Sequence, residues 1–382
     1  MKKRILLFTD WYDPGYKAGG PIRSCVNFAE YMKDDYDVYV FTGDRDLGDE
    51  IPYADIEADK WLNINNDLHL FYASPGYLNQ KSILREIKEI MPDFIYLNSM
   101  FSKYFTVYPM MMKWQNRINS RVILAPRGML RESALSFKPF KKRLFLQVLR
   151  ILQIQKYISF HATDTVELND IRRQFGNNSS ITKIMEAPNF PGFQKEFTPP
   201  PAKEPGSLKM IFVGRIHPIK NLDLLLRCLQ KVNANIELTV VGSIEDAAYK
   251  KQCDELIRHS PENITVRFEG DVPHHRLEEF LIAHHLFCLP TQGENFGHAI
   301  FEALAAGRPV LISNQTPWRG LLNARAGWDI SLADSSSFVA AIEAFAAMNA
   351  RELTEWCKGA WEYCHNYIEH SDIKEQYRQL FN

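Results

Sequence analysis

The sequence lacks the patterns that define several classes of protein. Its six cysteines are scattered and none forms a C-x-x-C pair, which argues against a disulfide framework or a zinc site and favours a reducing compartment. No stretch of about 18 apolar residues is present, so no transmembrane helix is expected. The apolar run 5–8 ends at Thr9 and is too short for the core of a signal peptide. The formal net charge of -1 gives no bulk attraction to nucleic acid.

Common nucleotide-binding and metal-binding patterns are also missing. Neither G-x-G-x-x-G nor a Walker A motif occurs, which argues against simple dinucleotide or ATP binding. Asp44 and Asp46 form an Asp-x-Asp pattern, but they follow a predicted strand in a polar loop, and we expect no metal there. The adjacent pairs His274-His275 and His284-His285 do not suit a zinc site, so we predict surface or packing roles for them.

What remains is an ordinary globular composition on a long chain. Hydrophobic residues make up 46% and charged residues 24% of 382 residues, which excludes a disordered or collagen-like chain and allows two or three domains. Charge is unevenly distributed, since residues 81–160 hold 15 basic and 4 acidic residues. This excess indicates either a solvated basic face or a surface for an anionic partner such as a phosphate group or a membrane.

Two series of alternating strands and helices predict two α/β domains. Residues 1–190 form the first series, and strands such as 4–10, 36–42, 93–98 and 121–126 predict a parallel sheet with helices on both faces. Residues 191–206 are rich in proline and predict a linker. The second series covers 207–365, and a final helical stretch within 366–382 is expected to return to the first domain. A cleft between two such domains is the default ligand site.

Three segments carry the chemistry that the sequence suggests. In G-E-N-F-G-H-A-I-F-E, at 293–302, two glutamates flank the predicted start of a helix, whose free N–H groups would face an anion or a polar ligand. Arg215 and Lys220 follow the first strand of the second domain, at the strand end where open α/β sheets bind ligands, and both suit phosphate. Gly19 and Gly20 stand at the first strand-to-helix turn and would let the backbone approach a ligand. Taken singly, each segment is also explained by an acidic helix start, a basic surface turn or a flexible loop.

Together these segments resemble the retaining nucleotide-sugar glycosyltransferases of family 4. The similarity covers nearly the whole chain and is most specific at G-R-x4-K-N, residues 214–221, and at G-x-N-F-G-x4-E-A-L-A-A-G-x-P-V, across 293–310. The segment A-P-R-G-M-L at 125–130 is similar to a subset that acts in surface-polysaccharide assembly. The resemblance implies the GT-B architecture, in which two Rossmann-like domains face a central cleft.

The resemblance also implies a role for each matching residue. Glu294, Arg215 and Lys220 would be catalytic, with Glu294 at the donor sugar and the two cations holding the donor diphosphate. Gly19 and Gly20 would form a loop near the diphosphate or the acceptor. Further donor contacts are implied for Glu302 at the ribose hydroxyls, Val272 at the base, Gly242 as space near the nucleotide, and the backbone of Asn295, Phe296 and Gly297 beside the sugar.

One position departs from the family pattern. Many relatives have a histidine after the strand that here reads I-L-A-P, and this chain has Arg127. The substitution puts a histidine-assisted mechanism in doubt. Arg127 would instead bind an anionic acceptor group or the donor phosphate, or it would pair with a structural carboxylate. The family mechanism is a same-face displacement that retains anomeric configuration, and it requires no metal and no cofactor beyond the nucleotide diphosphate sugar.

The stretch 137–160 mixes basic and apolar residues. Lys138, Lys141, Lys142, Arg143 and Arg150 alternate with Phe140, Leu144, Phe145, Val148 and Leu152. A helix here would either touch a membrane shallowly or pack its apolar face on the sheet. A lipid-linked acceptor would favour the membrane.

The sequence therefore predicts a cytoplasmic glycosyltransferase that uses a nucleotide diphosphate sugar and a saccharide acceptor, free or lipid-linked. Peripheral contact with the inner face of the membrane is the alternative to a free protein. Two rival functions are a sugar-nucleotide epimerase of the same architecture, which would need no acceptor, and a non-catalytic nucleotide-sugar binder.

Overall fold

The computed structural model describes residues 2–136, 139–176, 182–193 and 195–382. The chain divides into two compact units. The N-terminal domain holds the residues up to Phe190 together with Asp372–Asn382, and the C-terminal domain holds Pro191–Ser371. Within the described residues, no helix combines the length and the apolar composition needed to span a membrane.

The N-terminal domain is built on an eight-stranded sheet of order β3-β4-β2-β1-β5-β6-β7-β8. The strands at its centre are nearly all buried, since residues such as Leu6, Val40 and Ile95 are 0% exposed and face helices on both sides. Its strands are β1 Arg4–Phe8, β2 Asp37–Gly43, β3 Trp61–Asn65, β4 Leu68–Ala73, β5 Phe94–Leu97, β6 Arg121–Leu124, β7 Ile158–Ala162 and β8 Ile184–Glu186. Its helices are α1 Gly20–Met32, α2 Gln80–Ile90, α3 Tyr108–Trp114, α4 Glu132–Ser136, α5 Pro139–Ile151, α6 Thr165–Phe175 and α13 Ile373–Leu380.

The hairpin β3–β4 corrects the expectation of a wholly parallel sheet. β3 pairs antiparallel with β4, whereas β4 pairs parallel with β2. The polar residues Asn65, Asn66 and Asp67 lie at the turn, and β3 itself is half-buried or exposed, so its own sequence gives little sign of a strand. The segment between β5 and β6 also holds structure not expected from sequence, a π-helical turn at Lys103–Val107 that leads into α3.

The C-terminal domain is built on a six-stranded parallel sheet of order β11-β10-β9-β12-β13-β14. The predicted strands and helices are present, and β14 at one edge of the sheet is an additional strand. The strands are β9 Ser207–Val213, β10 Asn235–Val241, β11 Ile264–Gly270, β12 Leu286–Leu289, β13 Val310–Ser313 and β14 Gly327–Ile330. The helices are α7 Leu222–Leu229, α8 Ala247–Arg258, α9 His274–Ile282, α10 His298–Ala305, α11 Ser335–Ala347 and α12 Ala350–Glu369.

The chain passes between the two domains twice, after Phe190 and after Ser371. The last helix, α13, packs into the N-terminal domain. Tyr377 stacks on Phe190 with ring centroids 4.3 Å apart, and Phe381 contacts Phe28 at 5.7 Å. An ion pair from Arg378 to Asp35, at 3.1 Å, adds to this packing.

Helix α5 forms the first half of the stretch 137–160, of which residues 137 and 138 lie outside the described part. The helix ends at Ile151, earlier than the sequence predicts, because Gln153 adopts a left-handed conformation with φ of 51°. Leu146 and Leu149 are buried against the domain. A second apolar stripe is exposed, with 78% exposure at Phe140 and 52% at Leu144. Packing on the sheet therefore accounts for half of the apolar pattern.

All six cysteines are buried and none is in a disulfide.

Candidate functional site

The strand order of the C-terminal domain fixes where its ligand site lies. After β9 the chain builds β10 and β11 on one side, and it then crosses to place β12 on the other side of β9. The loops after β9 and β12 therefore diverge and leave a crevice at the carboxyl ends of the strands, the usual ligand position in open α/β sheets. The loop after β9 carries Arg215 and Lys220, and the loop after β12 carries Glu294.

Lys220 and Glu294 bridge this crevice. The Lys220 Nζ donates to Glu294 Oε1 at 2.5 Å, and the two side chains are 17% and 13% exposed. Two further bonds join the same loops, since Gln292 N donates to Ile219 O at 2.8 Å and Thr291 Oγ1 donates to the same oxygen at 3.1 Å. Two residues that lie 74 positions apart thus form one charged pair at the switch point.

Arg215 lies apart from this pair. Its Nη1 forms an ion pair with Glu245 Oε2 at 2.7 Å, and both side chains are 42% exposed. Glu245 follows β10, the neighbour of β9, so the pair spans the adjacent loop ends. The structure therefore brings two of the three expected catalytic side chains into contact and holds the third with an acidic partner that the sequence analysis missed.

The N-terminus of α10 faces the same edge of the sheet. Gly297 precedes the helix with φ of 79°, and no side chain caps the helix N-terminus. The positive φ favours glycine at this position, and a Cβ there would lie 2.9 Å from Ile300 Cδ1. Phe296 is 4% exposed, and its carbonyl accepts a bond from Trp318 Nε1 at 2.5 Å. The bond from Trp318 thus fixes the backbone before α10. No side chain caps the helix, so the N–H groups of its first turn can bind an anion or a hydroxyl.

Glu302 contacts His274, a residue for which the sequence predicts a surface or packing role. His274 opens α9, and its Nε2 lies 2.9 Å from Glu302 Oε1 on α10. His274 is half-buried, and its ring contacts a candidate site residue, a link that the sequence did not suggest. The pattern Asp271-Val272-Pro273-His274, directly before a helix, is the signal that places it at the strand end. His284 and His285 are buried and hydrogen-bonded, which confirms a packing role for them.

Gly242 and Val272 occupy the remaining strand ends of the site. Gly242 adopts φ of 139°, and a Cβ there would lie 2.2 Å from Gly214 O. The ends of β9 and β10 thus lie so close together that only glycine fits at position 242, whether or not a ligand binds nearby. Val272 packs against the apolar core of the domain, which leaves its backbone at the carboxyl edge of β11. Asn295 is half-buried beside Glu294.

The N-terminal domain has its own switch point, between β1 and β5. Ser102 Oγ, after β5, donates to Asp10 Oδ1, after β1, at 2.7 Å. Burial raises the pKa of Asp10, and this bond opposes the shift. Gly19 precedes α1 with φ of 65°, a conformation that favours glycine, and no side chain caps the helix. Gly20 is exposed at the first position of α1. The turn therefore leaves open backbone at the same edge of the sheet.

Arg127 lies at this edge, after β6, and its guanidinium is held by neutral oxygens. It donates through Nε to Asn98 Oδ1 at 2.5 Å, through Nη2 to Tyr96 OH at 2.8 Å, and through Nη1 to Asn189 Oδ1. The alternative of pairing with a structural carboxylate is wrong, because within the described residues no carboxylate shares a hydrogen bond or ion pair with this side chain. Its backbone φ of 55° is left-handed.

A chain of buried hydrogen bonds extends from Arg127 through Tyr96 to His161. Tyr96 OH lies 2.7 Å from His161 Nδ1, and His161 Nε2 lies 2.8 Å from Ala187 O. Because a carbonyl only accepts, Nε2 carries the proton and Nδ1 accepts from the tyrosine. Burial, followed by the positive charge of Arg127, lowers the pKa of His161 to about 3. The histidine is therefore neutral at physiological pH.

The loop that carries Arg127 is fixed by Glu167, which is 0% exposed. Its carboxylate accepts from Gly128 N at 2.5 Å and from Thr163 N at 2.8 Å. The N-terminus of α6 is capped from one side only. Asp164 accepts from Glu167 N at 2.7 Å, but Glu167 bonds elsewhere instead of returning to the backbone of Asp164.

The carboxylates of the Asp-x-Asp pattern already have partners. Asp44 accepts from Arg45 Nε at 2.8 Å. Asp46 accepts from the backbone N–H groups of Tyr16 and Lys17 at 2.7 and 3.0 Å, and it thereby holds the loop before Gly19. In the part of the chain that the structure describes, no group of three or more metal-ligating side chains comes together.

Comparisons with known proteins agree with this arrangement. Residues 193–358 match the sequence family described as glycosyl transferases group 1. The phosphatidyl-myo-inositol mannosyltransferase of Mycolicibacterium smegmatis is 26% identical over 172 residues, which are 44% of this chain and 40% of that protein. The D-inositol 3-phosphate glycosyltransferase of Frankia alni is 30% identical over 112 residues, 27% of each chain. The match thus spans less than half the length of these relatives.

Solved structures are similar over the whole chain. Sucrose-phosphate synthase from Thermosynechococcus elongatus superposes with a TM-score of 0.71 at 19% identity, covering 100% of this chain and 99% of that one. HepE of Anabaena, solved in complex with UDP and glucose, gives a TM-score of 0.65 at 15% identity and covers 99% of this chain and 98% of its own. Likeness at this identity establishes the fold, and the expected GT-B class with two Rossmann-like domains is confirmed. The match to the group 1 glycosyl transferases lies within the C-terminal domain, which holds the most specific motifs of the sequence.

Proposed function

We propose that the protein is a retaining glycosyltransferase that moves a sugar from a nucleotide diphosphate sugar to a saccharide acceptor. The observation that carries the proposal is the Lys220–Glu294 pair across the switch point of the C-terminal domain, with Nζ and Oε1 2.5 Å apart. An ammonium group beside free helix N-terminal amides suits a diphosphate leaving group. The neighbouring carboxylate suits the hydroxyls of the donor sugar.

In the proposed reaction the bond between the anomeric carbon and the phosphate oxygen breaks while the acceptor oxygen bonds to the same face. The departing phosphate takes the proton of the acceptor hydroxyl. Lys220 and Arg215 stabilise the charge that develops on the diphosphate. Glu302 and His274 together offer an acceptor and a donor to the ribose hydroxyls. No step uses a metal ion, because the two cationic side chains supply the positive charge.

The donor site is tested first by thermal stabilisation with UDP, GDP, ADP and their sugar conjugates. A ligand at about 100 times its dissociation constant stabilises the folded protein by about 2.7 kcal/mol. We expect a shift with one nucleotide in the wild type and its loss in Lys220→Ala. Lys231→Ala is the matched control, since Lys231 is exposed and lies before β10, at the opposite edge of the sheet. The absence of a shift with every nucleotide would contradict the donor site.

Turnover assays separate the proposal from its rivals. A glycosyltransferase consumes the donor rapidly only when an acceptor is present, whereas an epimerase would convert the donor alone and a binder would consume nothing. We expect the anomeric proton coupling of the product to match that of the donor, which reports retention. We also expect turnover to survive EDTA, and loss of activity that a divalent cation restores would refute the metal-independent route.

We further propose that the acceptor is lipid-linked and that α5 contacts the membrane peripherally. Four apolar residues form one exposed stripe along this helix, namely Phe140, Leu144, Val148 and Ile151, with exposures of 78%, 52%, 43% and 71%. Exposed Lys141, Arg143 and Arg150 flank the stripe. This combination fits an interface with anionic lipid.

Sedimentation with anionic vesicles tests this contact. Phe140→Ser with Leu144→Ser is expected to abolish sedimentation, and Gln147→Ala, an exposed polar change on the same helix, is expected to leave it intact. Equal sedimentation of both variants would overturn the membrane contact but leave the sugar transfer proposal untouched.

A further inference from the structure

A cavity of ≈ 560 Å³ opens in the N-terminal domain at the edge of the sheet opposite to Arg127. It lies at the amino ends of β6, β7 and β8, since its lining includes Arg121, the first residue of β6, Ile158, the first of β7, and Lys183, which precedes β8. β6 alone separates the two edges by roughly 10 Å. The volume is typical of a site for a small molecule.

The lining of this cavity is strongly basic. Lys113, Arg121, Lys156 and Lys183 contribute four cations, and none of the described residues that line the cavity is acidic. Within the described residues, none of the four forms an ion pair with an aspartate or glutamate, whereas Arg121 Nη1 donates to Asn382 O. Burial lowers the pKa of Lys113, whose ammonium has a carbonyl, Asn119 O at 3.2 Å, as its partner. Four neighbouring positive charges with no aspartate or glutamate among the lining residues repel one another, and an anion would relieve that repulsion.

An independent observation concerns Gln155, which lines the same cavity. Its Oε1 is buried and accepts no hydrogen bond. A buried acceptor without a donor costs about 1–3 kcal/mol, so a rotation of this amide that brings Oε1 to a ligand hydroxyl in the cavity would be stabilising. Tyr157, also in the lining and 39% exposed, adds a ring that can cover the apolar face of a polyol.

We propose that this cavity binds a phosphate ester that carries free hydroxyl groups, with the phosphate on the lysine and arginine side chains and a hydroxyl on Gln155. Lys and Arg are the side chains that bind phosphate most readily, and the Arg121 guanidinium has N–H groups besides the one that donates to Asn382 O. The site is separate from the crevice at which we propose sugar transfer, and it does not depend on that proposal.

Two sources could supply this chemistry, a soluble sugar or glycerol phosphate and the headgroup of an anionic phospholipid. The position of the cavity fits both sources. Gln155 and Lys156 lie shortly after α5, whose exposed apolar stripe ends at Ile151, so a lipid headgroup is as suitable as a soluble ester. The experiment therefore has two arms that use different probes.

The first arm measures the binding of glycerol 3-phosphate and glucose 6-phosphate by titration calorimetry, with inorganic phosphate as a reference. The test variant is Lys156→Ala with Lys183→Ala, two exposed side chains whose loss leaves the core intact. The control is Lys81→Ala with Lys88→Ala, two exposed lysines on α2 that remove the same charge. We expect the test variant to bind about tenfold more weakly or worse, since charge-assisted bonds are lost, and the control to bind as the wild type does.

The second arm measures sedimentation with phosphatidylcholine vesicles that contain phosphatidylglycerol. Retention in the wild type, loss in the lysine test variant and no calorimetric signal would assign the site to a lipid headgroup. A calorimetric signal with no vesicle effect would assign it to a soluble ester. Gln155→Glu places a negative charge in the cavity, and we expect it to weaken either form of binding.

Equal behaviour of the test and control variants in both arms would overturn the proposal. Because neither arm measures sugar transfer, its failure would be distinguishable from failure of the proposed function.

Discussion

The two domains use the same sheet topology at their switch points but fill them differently. The C-terminal domain places a cation and an anion opposite each other, with Lys220 Nζ 2.5 Å from Glu294 Oε1. The N-terminal domain places Asp10 against the hydroxyl of Ser102 and surrounds its cation, Arg127, with neutral oxygens. A charged pair at a partly exposed edge can exchange partners for a ligand, whereas a cation held by three buried acceptors is part of the framework.

This difference separates charged side chains that are expected to bind ligand from those that are expected to stabilise the fold. The side chains of the Lys220–Glu294 pair remain accessible, so removing them should alter ligand binding more than stability. Arg127 closes a network that reaches Tyr96 and His161, so removing it should alter stability first. The following experiments test that contrast, beginning with the largest expected effect.

Lys220→Ala is expected to lower turnover by about 100-fold or more, because a charge-assisted contact to the leaving diphosphate is lost and Glu294 is left to repel it. Steady-state kinetics and the melting temperature are measured together. The comparison predicts that the melting temperature changes little. Near-normal turnover would remove Lys220 from the site.

Glu294→Gln is expected to reduce turnover more than nucleotide binding, because the amide keeps the shape of the carboxylate but frees Lys220 for the diphosphate. Combining it with Lys220→Ala gives a double-mutant cycle, and we expect a coupling well outside the error of additivity. Nucleoside diphosphate affinity is measured by calorimetry. Additive effects would mean that the two side chains act independently.

Arg127→Met is expected to destabilise the N-terminal domain by on the order of 3 kcal/mol, because three acceptors lose their donor. This corresponds to a fall in melting temperature of roughly 6–12 °C. Arg117→Met, at an exposed arginine of the same domain, is the control. A variant that melts as the wild type does but loses acceptor binding would reverse the contrast and make Arg127 a ligand contact.

The smallest effect concerns pH and His161, whose pKa burial lowers from 6.5 to about 3. Below pH 6.5 the unfolded chain takes up a proton at this ring that the folded domain does not, so the free energy of unfolding falls as pH falls toward 3 and is fully present above 6.5. By pH 5 the expected loss is about 2 kcal/mol. Urea unfolding at pH 7 and pH 5 measures it, and His161→Gln is expected to show a smaller dependence.

The contrast also explains what the sequence could and could not predict. Lys220, Glu294 and Gly297 lie in compact motifs directly after buried strands, so periodicity and turn residues place them at one edge of a sheet. The network around Arg127 joins Tyr96, Asn98 and Asn189, which no local pattern connects. His274 was missed because an adjacent histidine pair gives no sign of which ring faces Glu302.

Local signals also failed where tertiary packing decides the structure. The hairpin β3–β4 has short strands in a polar region, and its existence depends on pairing with β2. Helix α5 ends at Ile151 because Gln153 reverses the backbone, although the apolar periodicity continues past that point.

The return of α13 to the N-terminal domain has a consequence for synthesis of the protein. The helix fills the space beside Phe28, Tyr36 and Phe94, and its own Tyr377 and Phe381 are 1% and 0% exposed. The ribosome makes these residues only after the whole of Pro191–Ser371. The nascent first domain therefore has an uncovered aromatic surface while the second is translated, and it becomes complete only when α13 and Phe381 have left the exit tunnel.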